Sequence, residues 1–139
     1  MTIQVHVSPG ELIDKITILE IKLMKIKDRS KISAIKNELK LLYSSHTLLL
    51  KNGKNIKPEL AGLKEKLYKT NLKLWNIENV IRSLEAKQDF GNRFIEYARK
   101  VYITNDKRSA LKISINRLFG STIIEVKEYA KYGNEGISK

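Results

Sequence analysis

The chain contains no cysteine and only two histidines in 139 residues. Disulfides, thiolate chemistry and sulfur-ligated metal sites are therefore excluded, and nothing marks a redox compartment. Proline occurs twice and glycine seven times, and the glycines form no phosphate-cradling loop. There is no HExxH pattern, no acidic calcium loop and no Glu-x-x-His pair, which removes zinc-protease, EF-hand and di-iron bundle chemistry. His6 and His46 are far apart, and neither has an acid at metal-ligand spacing. We expect no metal and no cofactor. A Ser/His/Asp nucleophile arrangement has no support, and the sequence assigns no catalysis. No apolar run is long enough to span a bilayer. The first residues lack the basic-then-apolar order of a signal peptide, so a cytoplasmic location is expected.

Acidic residues are also scarce: 15 against 27 Lys and Arg, for a net charge of +12. The imbalance is local. Between Lys22 and Lys73 there are 14 basic and 4 acidic residues, and the remainder is nearly balanced. Such an excess is either a solvated lysine face or a surface for an anionic partner, such as nucleic acid or an acidic protein. The abundance of Lys, Ile and Asn favours the solvated face.

What the chain does have is helical periodicity. At 42% hydrophobic and 30% charged, without repeats or low-complexity linkers, it reads as one globular domain over 1–139. Ser8-Pro9-Gly10-Glu11 has Ser at N-cap, Pro at N1 and Glu at N3, a capping box that starts a helix running to about Lys27. Leu12, Ile16, Leu19, Leu23 and Ile26 form its apolar stripe, while Ile18 and Ile21 lie on the far side, a pattern that suits a helix covered on two faces. A second helix to about Lys51 completes a helical hairpin over 8–51, closed by Asn52-Gly53-Lys54-Asn55. The stretch 58–87 reads as one long central helix, with Leu60, Leu63, Leu67, Leu74 and Ile81 inward and Gly62 as a weak point. After the break Asp89-Phe90-Gly91-Asn92, the segment 92–132 reads as C-terminal helices. One spans about 93–103 and another about 107–119, separated by the capping chemistry of Thr104-Asn105-Asp106, and Gly120 is a C′ residue. Residues 2–7 alternate as a short strand or extended arm. Residues 122–132 fit either a short helix or a strand pairing with that arm. The expected architecture is all-α, a single-domain bundle of about five helices flanked by these short segments.

Polar residues interrupt the apolar faces. Glu20 lies on the first helix, and Asn71, Glu78, Arg82 and Glu85 lie on the long one. Arg99, Asn105, Arg108, Lys112 and Asn116 follow in the C-terminal part. Charged groups are seldom buried unless paired. These ten residues are therefore either a salt-bridge network that fixes the register of the bundle, with Glu78 paired to Arg82 one turn on and Glu20 and Glu85 taking Arg99 and Arg108, or the lining of a ligand pocket. In a pocket, Arg and Lys would hold an anionic group and a Glu would act as acid, base or hydrogen-bond partner. Trp75, Tyr68 and Tyr102 could stack a base or sugar, although aromatics at helical spacing usually belong to a core. Outward Ile18 and Ile21 give a third reading, a structural homodimer.

Three stretches, SPGELIDKITILEIK (8–22), LWNIENVIRSLEAKQDFGNRFIEYARKVYITNDKR (74–108) and LKISINRLFGS (111–121), resemble a family of small bacterial and viral proteins classed as a domain of unknown function. The resemblance covers most of the chain outside its Lys-rich middle. It implies a helical fold and, through family members near surface-polysaccharide or glycosyltransferase genes, an association with polysaccharide biosynthesis. Matched positions include Glu11, Asp14, Lys15, Glu20, Lys22, Trp75, Glu78, Arg82 and Glu85, and further on Asp89, Arg99, Asn105, Asp106, Arg108, Lys112 and Asn116. Most of the polar set thus falls inside family motifs, which favours an anionic small molecule or saccharide-phosphate held in a cleft between helices. The stretch ELIDKITILEIKL is also similar to the first helix of the all-helical chorismate mutases, which implies an Arg- and Lys-lined pocket for a dicarboxylate. The first helix here, however, has no arginine before Arg29.

Overall fold

A computed structural model describes residues 1–53 and 55–133. The described residues form four helices and no strand: α1 (Pro9–Lys25), α2 (Arg29–Asn52), α3 (Lys57–Ala86) and α4 (Asn92–Leu118). The all-α expectation holds, and the count of about five is corrected to four. The expected break at Thr104-Asn105-Asp106 does not occur, because α4 runs through it. Residues with capping chemistry permit a helix start but do not impose one. Here Thr104 is buried, and the Asn105 carboxamide oxygen accepts from Arg108 Nη1 one turn on at 3.4 Å, so packing keeps the segment helical. Neither option for 122–132 is realised: residues 121–133 carry no regular secondary structure and lie along α4. Residues 1–7 form an exposed arm without a strand partner.

α1 is the hub of the fold. It packs on each of the other three helices, while α3 and α4 form a long hairpin of their own. Its start is the expected one. The Ser8 hydroxyl oxygen accepts from the Glu11 backbone N–H at 3.2 Å, with Pro9 in the first turn. Only half of the capping box is used, since the Glu11 carboxylate turns to Lys112 on α4 at 2.8 Å. The face Leu12, Ile16 and Leu19 meets Ile35 and Leu39 of α2. On another side, Ile13 meets Leu60 and Leu67 of α3 and Ile115 of α4. Burying each such side chain contributes about 1.5–3 kcal/mol, and these two clusters form the core. Ile21, on the far side of the stripe, is only 1% exposed, so α1 is covered on that face as well. Ile18 is half-buried, so this pair offers less outward apolar surface than its pattern suggests.

The helix ends are satisfied locally. The Asp28 carboxylate caps α2 by accepting from Ser30 N at 2.9 Å, Lys31 N at 3.2 Å and Ser30 Oγ at 2.7 Å. These bonds, the Ser30 hydroxyl first, hold its carboxyl below the usual range. α3 closes with Asp89 N donating to Leu84 O at 2.9 Å, and this turn places Gln88 at φ 55°. α4 closes in the same way: Ser121 N donates to Asn116 O at 2.9 Å, and Gly120 takes the left-handed position at φ 59°.

Candidate functional site

One face of α1 is small and polar where a core face would be apolar. Gly10, Asp14 and Thr17 recur at helical spacing and are all buried, and apolar Ile21 ends the line. Asp14, 1% exposed, is the centre of the polar set. Its carboxylate accepts from Arg108 Nε at 2.9 Å and Nη2 at 2.5 Å, and from Asn71 Nδ2 at 2.8 Å. Asn71 also donates to Thr17 Oγ1 at 2.9 Å, and that hydroxyl donates to the Asp14 carbonyl at 2.8 Å. Three helices are thus joined at one carboxylate. Its hydrogen bonds raise the Arg108 pKa against the opposing effect of burial, so the guanidinium stays charged.

One turn along α4, Lys112 has only 8% of its surface exposed. It is held between Glu11 at 2.8 Å and Glu125 of the C-terminal segment at 3.0 Å. Burial pulls its pKa down, but the two carboxylates outweigh that and carry it above the ordinary lysine value. Ser109 Oγ donates to Glu125 Oε1 at 3.0 Å, which fixes the segment to α4. At the next contact, Asn116 Oδ1 accepts from the Gly10 backbone N–H at 2.7 Å.

Arg108, Lys112 and Asn105 stand on the wall of a cleft of about 1470 Å³ between α4 and residues 121–133. Asp14 clamps the Nε–Nη2 edge of Arg108, so the guanidinium's other edge is directed and its rotamer freedom is largely spent. The cleft lining carries five cations against two carboxylates, Asp106 and Glu125. Asp14 and Glu11 behind the wall offset Arg108 and Lys112, and Lys127 lies 4.0 Å from Asp106. With Glu125 also counted, the surplus is a single positive charge, and Lys107 and Lys131 are the lining cations without an ion-pair partner among the described residues.

Of the ten residues singled out from the sequence, Asn71, Arg108, Lys112 and Asn116 meet on α1, and Asn105 joins them through Arg108. Glu20 does not take Arg99 or Arg108. It forms a separate cluster in which one carboxylate oxygen accepts from Lys64 Nζ at 2.8 Å and the Tyr43 hydroxyl at 2.9 Å. Glu85 and Arg99 are exposed, and the Glu78–Arg82 pair at 3.7 Å is 45% and 78% exposed. These four do not converge with the rest. For the three on α3, the reason is a rotation of that helix's buried face. Leu60, Leu67 and Asn71 share one line, but the later buried residues Ile77 and Leu84 lie about 100° round the helix. Polar residues that stay on the first line are left in water. Arg82 and Arg99 thus do not join Arg108, and the interior arginine-lined pocket implied by the likeness to chorismate mutases is not formed among the described residues. Sequence reasoning misses Asp14, Thr17, Glu11 and Glu125 as members of the set. For the first two, the available signal is the spacing 10, 14, 17 of small and polar residues on α1.

The second cluster includes half-buried His46. Burial and the nearby Lys64 lower its pKa, with Glu20 opposing, while burial and Glu20 push the Tyr43 hydroxyl up to about 12. A histidine whose pKa is depressed on folding supports the fold fully above about pH 6.5 and less as pH falls through that window. We expect the stability difference between about pH 7.5 and 5.5, read by thermal unfolding, to shrink in His46→Gln. An unchanged difference would remove His46 from the acid limb.

No helix among the described residues is long and apolar enough to cross a membrane. No group of three His, Cys, Asp or Glu residues among them is placed to hold a metal. No curated protein and no solved structure matches the chain. A family profile described as a family of unknown function, DUF6165, matches residues 3–136, which is nearly the whole chain and includes every side chain of the Asp14, Lys112 and cleft arrangement. The chain therefore belongs to the family of unknown function DUF6165.

Proposed function

We propose that the protein binds an anionic small molecule of the saccharide-phosphate class in the cleft between α4 and residues 121–133. The observation that carries this reading is Arg108, gripped on one edge by buried Asp14 and lining a cleft in which Lys107 and Lys131 are the cations without an ion-pair partner among the described residues. A pre-oriented guanidinium beside two long, adaptable lysines suits a phosphate or carboxylate, because little order remains to be imposed on binding. Asn105 and Lys112 lie on the same wall and would add hydrogen bonds. Glu20, Glu78, Arg82, Glu85 and Arg99 have no part in this reading, and Asn71 and Asn116 act behind the wall as positioning residues. The exposed basic side of α2, where Lys36 and Lys40 lie one turn apart, supports a second reading: a surface for nucleic acid or an acidic protein.

A thermal-shift series separates the two. A ligand at about 100 times its Kd stabilises by about 2.7 kcal/mol, which is several degrees for a domain of this size. Inorganic pyrophosphate or a hexose phosphate should give such a shift, and Lys107→Gln with Lys131→Gln should abolish it while leaving the unliganded Tm unchanged. Instead, a response only to a nucleic-acid oligomer, lost between about 50 and 200 mM salt, would move the function to α2.

A further inference from the structure

The cleft has an aromatic end that the anion reading does not use. Tyr102 of α4 and Tyr132 of the C-terminal segment meet edge to face, with centroids 5.1 Å apart and planes at 74°. Both line the cleft, yet they are 43% and 49% exposed. Tyr129, also on the lining, is 74% exposed. Such rings in a concavity are apolar area that water covers poorly and a flat partner covers well. The corner is held in shape, since the Tyr132 hydroxyl donates to Asp106. Along α4, Arg108 follows Tyr102 by six residues, about 9 Å of helix rise. Tyr102 and Arg108 are therefore offset along the α4 wall of one cleft, while Lys131 directly precedes Tyr132 on the opposite wall. A volume of about 1470 Å³ also exceeds the range of roughly 300–1,000 Å³ typical of a compact ligand site, so the cleft has space for more than a phosphate or hexose phosphate.

We infer that the ligand has two parts and is a nucleotide, its base stacked in the Tyr102–Tyr132 corner and its phosphates directed to Arg108, Lys107 and Lys131. This inference rests on the anion-site reading and narrows it. A sugar face could also cover one tyrosine, but two rings at a steep angle offer a face and an edge together, which suits a flat aromatic ring.

Isothermal titration with uridine diphosphate, inorganic pyrophosphate and glucose 1-phosphate tests the inference. Uridine diphosphate should bind about tenfold or more tightly than pyrophosphate, in line with base–aromatic stacking. Tyr102→Leu should erase that ratio and leave pyrophosphate affinity unchanged. Tyr102→Phe should keep the ratio, which guards against a merely structural loss. Equal affinities for uridine diphosphate and pyrophosphate would overturn the base-binding corner while leaving the anion site standing. Glucose 1-phosphate binding as tightly as uridine diphosphate would overturn it too, in favour of a sugar platform. If none of the three binds, the anion site and the corner both fall.

Discussion

Asp14→Ala should cost about 3–5 kcal/mol of folding stability, the range for removing one partner of a buried ion pair. The substitution leaves the Arg108 guanidinium half-buried without its counter-charge. It also takes the shared acceptor from Asn71 Nδ2. Single domains are stable by about 5–15 kcal/mol, so a large share of the total is at stake. The exposed pairs Glu65–Lys69 and Glu96–Lys100 on single helices contribute little by comparison, because water screens them. Urea denaturation of Asp14→Ala, Arg108→Met and an Asp14→Leu/Arg108→Met double variant checks the argument. The double variant should recover much of the loss, since it leaves no buried charge unpaired. A single Asp14→Ala cost below about 1 kcal/mol, the level of a surface pair, would mean that Asp14 does not join α1 to α3 and α4.

That expectation bears on function as well as stability. A structural ion pair needs no open edge, whereas Arg108 is both clamped by Asp14 and part of the cleft wall. The salt-bridge and pocket readings of the polar residues are rivals at the level of sequence. In the structure one side chain belongs to both the ion-pair network and the cleft wall, and the network behind the wall sets its orientation. Lys112 is different, because Glu11 and Glu125 occupy its ammonium from both sides. It fastens the C-terminal segment, and thereby the far wall of the cleft, to the hub helix.

How much of this is legible in the sequence differs by element. The start of α1 is plain in Ser8-Pro9-Gly10-Glu11, because an N-cap is local chemistry and acts over four residues. Gly120 at the end of α4 is plain for the same reason. The unity of α4 is not, since Thr104-Asn105-Asp106 carries a local start signal that only long-range packing overrules. The apolar half of α3 is legible, but the periodicity extends its face too far. A helical wheel assumes that one side stays buried along the whole length, and α3 changes its buried side between Asn71 and Ile77. That change depends on which neighbours cover each half, and no window of the sequence contains it. Asp14 is hidden for a further reason: it sits on the first helix, while its partner Arg108 lies 94 residues away. Only the small-residue spacing on α1 hints that this face meets backbone and polar groups rather than leucines.

That spacing also sets the second large effect. Gly10→Ala should destabilise by about 2–3 kcal/mol, as overpacking does where neighbours cannot move. A Cβ on Gly10 would lie 2.5 Å from the Lys112 carbonyl oxygen and 2.8 Å from Asn116 Oδ1. The first is α4 backbone and cannot swing away. The second accepts the Gly10 N–H at 2.7 Å, so displacing it breaks a buried hydrogen bond. Gly62 offers the opposite case on α3, being exposed with nothing within 4 Å of where a methyl group would sit. There the same change should stabilise by roughly 0.4–1 kcal/mol, because alanine lowers the entropy of the unfolded chain and favours the helix. Asn116→Ala added to Gly10→Ala would clear the side-chain clash but not the carbonyl one, so the double variant should remain destabilised. Thermal unfolding of Gly10→Ala, Gly62→Ala and the Gly10→Ala/Asn116→Ala pair therefore gives opposite signs for one substitution on two helices. A Gly10→Ala variant as stable as the wild type would mean that α1 does not approach α4 closely at that point. The register that brings Asp14 to Arg108 and Glu11 to Lys112 would then fail with it.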